Sequence, residues 1–176
     1  MIKSSDNIYL VGMPGAGKTT VARQLARRLQ RRFVDADHEL EAATGVDIPL
    51  IFEIEGEVGF REREAKVLAS LAQQSGLVVA TGGGAVLRPE NRHTLCSSGM
   101  VVYLHVSPAL LHRRMRNDRK RPLLQVEDRQ ERLNQLFAQR DPLYREIADV
   151  IIDGLGGSVA NLVRNLEQQL KSQCAA

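Results

Sequence analysis

Residues 12–19 constrain the fold of this chain most, because they read Gly-Met-Pro-Gly-Ala-Gly-Lys-Thr. This order matches the pattern Gly-x4-Gly-Lys-Ser/Thr, in which a glycine-rich loop joins a strand to a helix. The apolar run at residues 7–11 predicts the strand. After the loop, apolar residues recur every fourth position, which predicts a helix from Lys18 to about Arg31. Both flanks that the pattern requires are present, so we interpret residues 12–19 as a phosphate-binding loop.

Each residue type in this loop has a chemical reason for its place. Glycines allow backbone N–H groups to turn inward and form a concave site for an anion, and the next helix presents its positive N-terminus to it. Lys18 can reach the terminal phosphates as a mobile charge, and the Thr19 hydroxyl can ligate a magnesium ion that bridges them. The predicted nucleotide-binding residues of this stretch are Gly12, Met13, Pro14, Gly15, Ala16, Gly17, Lys18, Thr19 and Thr20.

Alternating apolar runs and periodic segments favour an α/β fold, with three α/β/α layers around a five-stranded parallel sheet. The predicted strands are residues 7–11, a short run from Phe33 to the aspartates that follow it, and residues 77–81, 101–106 and 148–152. Helices are predicted at 18–31, from the aspartates onward, over most of 44–75, at about 89–97, from Ser107 and at about 128–140. A last helix is predicted to carry the amphipathic stripe Val159, Leu162, Val163, Leu166 and Leu170. Gly45, Pro49, Gly56 and Gly59 are expected to divide the 44–75 segment.

Composition limits the classes of partner. The chain has 176 residues, the size of one domain, and its net charge of +3 is too small to indicate nucleic-acid binding by itself. Aromatic residues make up 4% with no Trp, so no base-stacking platform is expected. Two cysteines and four histidines lack metal-ligand spacing, and neither a membrane-spanning run nor a signal peptide is evident. We therefore expect a cytoplasmic monomer without nucleic-acid or membrane partners.

Asp35 and Asp37 follow the second predicted strand. Carboxylates at i and i+2 on an extended segment point the same way, and the carboxyl edge of a parallel sheet is the usual ligand crevice. One of them could hold magnesium, directly or through water, while the other takes a proton from an attacking hydroxyl. The alternative is that Asp37 only caps the following helix.

Gly82, Gly83 and Gly84 follow the third predicted strand. Successive glycines at a strand end allow a ligand to approach the backbone closely, although a tight turn would also explain them. We favour the ligand interpretation, because this strand is expected to end on the same side of the sheet as the phosphate-binding loop.

Two arginines fall on apolar helix faces. Arg61 precedes Leu68 by two helical turns, and Arg140 follows Leu133 at the same spacing. A core-facing arginine needs an anionic partner, which is either a buried carboxylate or an acidic ligand. The other charges of segment 60–64 are predicted to form surface ion pairs.

A basic run covers residues 113–121, six of which are Arg or Lys. Such a run is usually solvated or a nucleic-acid patch, but near a phosphate-binding loop it can form a mobile lid that neutralises the transferred phosphoryl group. Arg121 is the best-placed member, because Pro122 fixes the chain next to it.

The motifs together, in this order and on a chain of this length, resemble the shikimate kinase family. The resemblance extends from Ile8 to about Ile152 and implies the phosphate-loop kinase fold. The reaction that the resemblance implies is transfer of the ATP γ-phosphoryl group to the 3-hydroxyl of shikimate, a step of aromatic amino-acid biosynthesis. The segments that carry the resemblance are 33–37, 59–61, 81–84, 121–124 and 140–144.

The resemblance also implies roles for single residues. Lys18, Asp37 and Arg121 would be catalytic, with Asp37 as the base, and Thr19 and Asp35 would hold Mg²⁺, Asp35 through water. Arg114 would lie near the adenine. The shikimate-binding residues would be Asp37, Arg61, Gly82, Gly83, Gly84 and Arg140, with an apolar rim of Ile48, Phe52 and Phe60.

The expected organisation is a single domain over residues 1–176 with a core at 7–172, a substrate-binding helical flap at about 37–66 and the lid at about 115–127. One departure from the family lies in the turn at residues 154–158, which has no basic residue, so adenine would contact only its backbone.

Two alternatives remain. A related small kinase could phosphorylate gluconate or another hydroxy acid. A nucleotide-binding regulator or RNA-binding module could instead use the basic run at 113–121, although a pure binder has no need for Asp37 beside the phosphates.

Overall fold

A parallel five-stranded sheet forms the centre of the protein, as seen in a computed structural model that describes residues 6–116, 124, 126–154 and 157–175. The strand order is β2-β3-β1-β4-β5, with every neighbouring pair parallel. The strands are β1 (Asn7–Val11), β2 (Arg32–Asp35), β3 (Leu77–Ala80), β4 (Gly99–His105) and β5 (Val150–Asp153). The predicted fold class is confirmed, with strand ends shifted by one or two residues.

Helices cover both faces of this sheet. The helices are α1 (Lys18–Leu29), α2 (Ala36–Thr44), α3 (Ile48–Ala72), α4 (Pro89–Ser98), α5 (Pro108–Arg114), α6 (Arg129–Ile147) and α7 (Val159–Ala175). Helix α1 packs against α7, whereas α3 packs against α4, and α6 packs against α5 and β4. Within the described residues, no helix is long and apolar enough to span a bilayer.

Two predicted helix ends were wrong. Helix α1 ends at Leu29 and not near Arg31, because Gln30 takes the left-handed conformation and its N–H bonds back to the carbonyls of the last turn. Helix α6 does not stop near Arg140 but continues through Pro142. A proline removes only one helical N–H donor, and the turn beyond it is held by the buried side chain of Tyr144.

Helix α3 contains one break where three were expected, at Pro49, Gly56 and Gly59. Gly59 continues the helix, and Pro49 lies in its first turn, where a missing N–H costs nothing. Gly56 has φ 69° and ψ −173°, a conformation that is accessible almost only to glycine, so the helix kinks there. The kink separates the part of α3 that begins at Ile48 from the part that carries Arg61.

The carboxyl ends of β1, β2 and β3 meet at one edge of the sheet. The strand order reverses at β1, because β3 lies on one side of it and β4 on the other. At such a point the connections leave the carboxyl ends of neighbouring strands in opposite directions, so a crevice opens beside the end of β1. Thr81, directly after β3, donates from its N–H (3.1 Å) and its hydroxyl (2.9 Å) to the carbonyl of Leu10. These bonds fix the glycine triplet beside the phosphate-binding loop.

Candidate active site

A cavity of about 850 Å³ opens at this edge of the sheet. Its walls are the phosphate-binding loop, the starts of α2 and α3, the glycine triplet and the inner face of α6. Most of the predicted site residues line it together: Pro14, Gly15, Gly17, Lys18, Thr19, Thr20, Asp35, Asp37, Ile48, Phe52, Phe60, Arg61, Gly82, Gly83, Gly84 and Arg140.

The phosphate-binding loop wraps around the side chain of Lys18. The ammonium group donates to the backbone oxygens of Gly12 (2.8 Å) and Met13 (2.9 Å), so the lysine is held along the inside of the loop. Gly17 is the N-cap of α1 with φ 98°, a conformation that favours glycine. Since Gly17 has no side chain, the first N–H groups of α1 lack a side-chain acceptor and are suited to an anion.

Asp35 lies against the first turn of α1. The Thr19 hydroxyl donates to Asp35 Oδ2 at 2.7 Å, and Asp35 Oδ1 accepts from the N–H groups of Asp37 (3.1 Å) and His38 (3.3 Å). Asp35 is therefore the N-cap of α2. The expectation that both aspartates extend from one strand was wrong, as was the alternative that Asp37 is the cap, because Asp37 already belongs to the first helical turn.

Asp37 nevertheless faces the glycine triplet. A Cβ atom at Gly82 would lie 2.9 Å from Asp37 Oδ1 and 2.6 Å from Glu64 Oε1. Glycine is needed here because two carboxylates crowd the backbone, one from α2 and one from α3. The arrangement brings an acidic group next to the glycine triplet, in the cavity that the phosphate-binding loop also lines.

Arg61 is buried, with 9% of its surface exposed, and two carboxylates balance its charge. Its guanidinium donates to Glu64 Oε2 at 2.8 Å and to Glu57 Oε1 at 3.1 Å. Burial lowers the pKa of Arg61, but these carboxylates raise that pKa by more, so it stays above its usual value. A Cβ atom at Gly84 would collide with this guanidinium, so the triplet and Arg61 require each other.

Arg140 has no such balance. Only 2% of its surface is exposed, its Nε lacks a hydrogen-bond partner, and no carboxylate of the described residues forms an ion pair with it. Burial lowers the pKa of Arg140, and the nearby charge of Arg61 adds to this, while Tyr144 and the carboxylate of Glu57 oppose it. A buried cation in this state requires an anion. Of the two partners considered for Arg140, a directly paired carboxylate is not found among the described residues.

A protein-family model described as shikimate kinase matches residues 14–171. The chain belongs to the shikimate kinase family. It is 56% identical over 165 residues to the shikimate kinase of Aromatoleum aromaticum, which covers 94% of both chains. It is 61% identical over 148 residues to that of Dechloromonas aromatica, or 84% of this chain and 81% of the relative.

A solved shikimate kinase has the same fold. The structure of the enzyme from Acinetobacter baumannii in complex with shikimate superposes with a TM-score of 0.94 at 50% identity, covering 96% of this chain and 94% of that one. The predicted resemblance, the phosphate-loop kinase fold and the activity of a kinase that phosphorylates shikimate in aromatic biosynthesis are thus confirmed.

Among the described residues that line the cavity, Glu64 is a buried charged residue that sequence reasoning missed. Glu64 was expected in a surface ion pair, as Arg63 is with Glu55, yet only 3% of it is exposed and it lines the cavity. Burial raises the pKa of Glu64, although Arg61 acts in the opposite direction. Its place on the apolar stripe, one turn before Leu68, was the signal that could have identified it.

The predicted apolar rim lies on both sides of the kink in α3. Phe52 and Phe60 pack with ring centroids 4.7 Å apart, and the guanidinium of Arg61 lies 5.0 Å from the Phe60 centroid. Together with Ile48 they belong to a small cluster around Leu40 that is separate from the main core.

Arg114 connects the phosphate-binding loop with the turn after β5. Its guanidinium donates to the backbone oxygens of Ala16 (3.2 Å) and Gly154 (3.0 Å). The turn at residues 154–158 lacks a basic residue of its own, but α5 supplies one. Two residues of that turn lie outside the described residues.

Arg121 also lies outside the described residues, as does most of the predicted lid. Both ends of that segment are described. Arg129, the first residue of α6, donates to the backbone oxygens of Met115 (2.6 Å) and Leu124 (3.2 Å) and so joins these two ends. Leu124 is buried and lines the cavity.

Proposed function

We propose that the chain transfers the γ-phosphoryl group of ATP to the 3-hydroxyl of shikimate, with the residue roles given below. Arg140 carries this proposal: it is a buried arginine that forms no ion pair with a carboxylate of the described residues, in the cavity that also contains the phosphate-binding loop. An acceptor that bears a carboxylate would satisfy Arg140, and an acceptor hydroxyl would then face the nucleotide. Shikimate has both groups.

The phosphate-binding loop would hold the triphosphate. Backbone N–H groups of the loop and of the first turn of α1 would bind its oxygens, and Lys18 would exchange its loop carbonyls for the β- and γ-phosphates. Arg121 would approach from the lid and share the charge of the transferred group. Arg114, which already bridges the loop and Gly154, would contact the adenine.

Thr19 and Asp35 fit a magnesium ion, because their oxygens lie 2.7 Å apart at the edge of the cavity and both are hard oxygen donors. Thr19 would be a direct ligand, and Asp35 would act through water. When bound, Mg²⁺ would neutralise charge on the β- and γ-phosphates. Asp35 also caps α2, so its carboxylate is held in place before any nucleotide arrives.

The acceptor would lie along the glycine triplet. Its carboxylate would bind Arg61 and Arg140, and its reacting hydroxyl would contact Asp37, which takes the proton as the oxygen attacks phosphorus. Gly82, Gly83 and Gly84 would form the wall between these two contacts. A side chain at Gly82 or Gly84 would need space that is already occupied. At Gly82 that space holds the carboxylates of Asp37 and Glu64, and at Gly84 it holds the guanidinium of Arg61.

We also propose the organisation expected from the sequence: one domain over residues 1–176 with a core at 7–172, a flap at about 37–66 and a lid at about 115–127. The separate cluster around Leu40 and the kink at Gly56 support the flap. We expect the protein to act as a monomer in the cytoplasm.

A coupled assay of ADP release tests the proposed reaction. MgATP is offered with shikimate, with gluconate, or with no acceptor, and turnover is expected only with shikimate. Turnover with gluconate would instead favour the related hydroxy-acid kinase. If neither acceptor supports turnover while ATP still binds, the acceptor pocket has been misread, and a salt-dependent gel shift with RNA would test the regulator alternative.

Arg140→Lys is expected to raise the KM for shikimate by about 10- to 100-fold, because lysine cannot form the bidentate contact that a guanidinium makes with a carboxylate. The KM for ATP should change far less. Steady-state kinetics with each substrate varied in turn measures both values. Arg145→Lys is the matched control, since Arg145 lies on the same helix in an exposed pair with Asp141. Equal effects on both substrates would remove Arg140 from the acceptor site.

A further inference from the structure

Tyr144 connects two parts of the proposed acceptor pocket. It lies on α6 one turn after Arg140 and is fully buried. Its hydroxyl donates a hydrogen bond to the backbone oxygen of Gly83 and interacts electrostatically with the side chain of Arg140. The ring packs against Tyr103, with centroids 4.9 Å apart. The mechanism given above does not use this hydroxyl.

We propose that Tyr144 is a positioning residue of the acceptor pocket, whose hydroxyl holds the Arg140 guanidinium and the Gly83 backbone in the arrangement that binds the acceptor carboxylate. This inference rests on the proposed function and extends it to a residue that does not line the cavity.

The hydrogen-bonding capacity of a phenol fits this task. A tyrosine hydroxyl has one proton to donate and lone pairs to accept, so it can contact a carbonyl and a guanidinium at once. Burial raises the pKa of Tyr144, which keeps the hydroxyl protonated. A phenylalanine would keep the ring packing and lose the hydrogen bond to Gly83 and the interaction with Arg140.

Arg140 depends on this contact because little else orients it. Its Nε has no partner, and no described carboxylate forms an ion pair with it, whereas Arg61 is fixed by Glu64 and Glu57. Ordering a long side chain only when the ligand arrives costs binding free energy. A hydroxyl that holds the guanidinium in place beforehand removes part of that cost.

Gly83 is confined on its other side as well. A Cβ atom at Gly83 would lie 2.7 Å from Cδ of Pro14, so the triplet rests directly on the phosphate-binding loop. The Tyr144 hydroxyl therefore fixes the acceptor wall relative to the loop that holds the phosphates. Loss of the hydroxyl should therefore weaken binding of the acceptor more than binding of ATP.

Tyr103 provides the matched comparison. It is also fully buried, its ring contacts that of Tyr144, and its hydroxyl donates to Asp141 at 2.7 Å, which is not a cavity residue. If the hydroxyls of these two buried tyrosines served packing alone, Tyr103→Phe and Tyr144→Phe would change the KM for shikimate alike.

The experiment measures both KM values, kcat and the thermal midpoint for the wild type, Tyr144→Phe and Tyr103→Phe. Tyr144→Phe is expected to raise the KM for shikimate by about tenfold, the effect of losing one polar contact with a charged group, and to leave the KM for ATP nearly unchanged. Tyr103→Phe should lower the thermal midpoint without this selective change. In an Arg140→Lys background, Tyr144→Phe should add little to the KM for shikimate.

Three results would overturn the inference: an unchanged KM for shikimate in Tyr144→Phe, the same KM change in Tyr103→Phe, or fully additive effects of Tyr144→Phe and Arg140→Lys. Each can be observed only if the wild type turns over shikimate. A wild type without such turnover would overturn the proposed function, and this inference with it.

A measurement on the unaltered hydroxyl covers the case in which Tyr144→Phe does not fold. The chain has three tyrosines, so ¹³Cζ-tyrosine labelling gives three NMR signals, and Tyr9→Phe and Tyr103→Phe assign the third by elimination. Shikimate should shift the Tyr144 signal and leave that of Tyr9, which bonds to Ser98 and Asn7, in place. An unmoved Tyr144 signal at saturating shikimate would contradict the proposal.

Discussion

Asp37→Asn is expected to lower kcat by about 10²- to 10⁴-fold, the range for loss of a general base, with a much smaller change in the KM for shikimate. Asparagine keeps the size of the side chain and can still hydrogen-bond an acceptor hydroxyl, but it cannot take its proton. Steady-state kinetics at saturating ATP and shikimate measures kcat, and calorimetric titration measures shikimate binding separately.

The control for Asp37→Asn must remove a charge from the same helix end. Glu39→Gln does so, because Asp37 and Glu39 both lie in the first turn of α2, where negative charge is stabilised by the helix dipole. Glu39 does not line the cavity. If the two variants lost kcat equally, the effect would come from the helix end, and Asp37 would have no role as the base.

The parts of the site that could be predicted from sequence are those whose geometry is local. The spacing within residues 12–19 and the strand and helix beside them determine where Lys18 and Thr19 lie, since a glycine-rich loop of fixed length leaves few alternatives. The parallel sheet then follows from alternation, and it brings Asp35 and Gly82 to the same edge without further information.

The predictions that were wrong concern residues whose position depends on tertiary contacts. Asp35 turned out to be the cap because the helix begins two residues earlier than a cap at Asp37 would place it. Glu64 was assigned to the surface because charged side chains are rarely buried, and the proximity of Arg61, itself buried, with a smaller contribution from Arg140, favours its position. Helix α6 continues beyond Pro142 because Tyr144 is hydrogen-bonded to Gly83, a contact between residues 61 positions apart.

The two arginines illustrate the same limit. Sequence periodicity placed Arg61 and Arg140 on inward faces but left open whether a carboxylate or a ligand would neutralise each. The two residues differ in the structure, since Arg61 pairs with Glu64 and Glu57, whereas Arg140 forms no ion pair with the described residues. Charge balance in a folded site depends on which helices meet, which no local pattern contains.

Lys18→Ala is expected to lower kcat by about 10²- to 10³-fold, the cost of removing one preorganised charge from a developing anion. In the absence of nucleotide the ammonium group bonds to the carbonyls of Gly12 and Met13. These oxygens belong to a loop that borders the cavity, so water can replace the ammonium and the fold should persist. Circular dichroism and the thermal midpoint check that the variant is folded.

Shikimate binding separates the proposed role of Lys18 from general damage to the site. The acceptor end of the cavity is formed by Arg61, Arg140 and the glycine triplet, none of which depends on the Lys18 ammonium, so calorimetry should give an unchanged shikimate affinity in Lys18→Ala. Lys66→Ala, at an exposed position of α3, should match the wild type in every measurement. Near-normal kcat in Lys18→Ala would contradict the proposed role, because the charge that develops on the transferred phosphoryl group would then be stabilised without it.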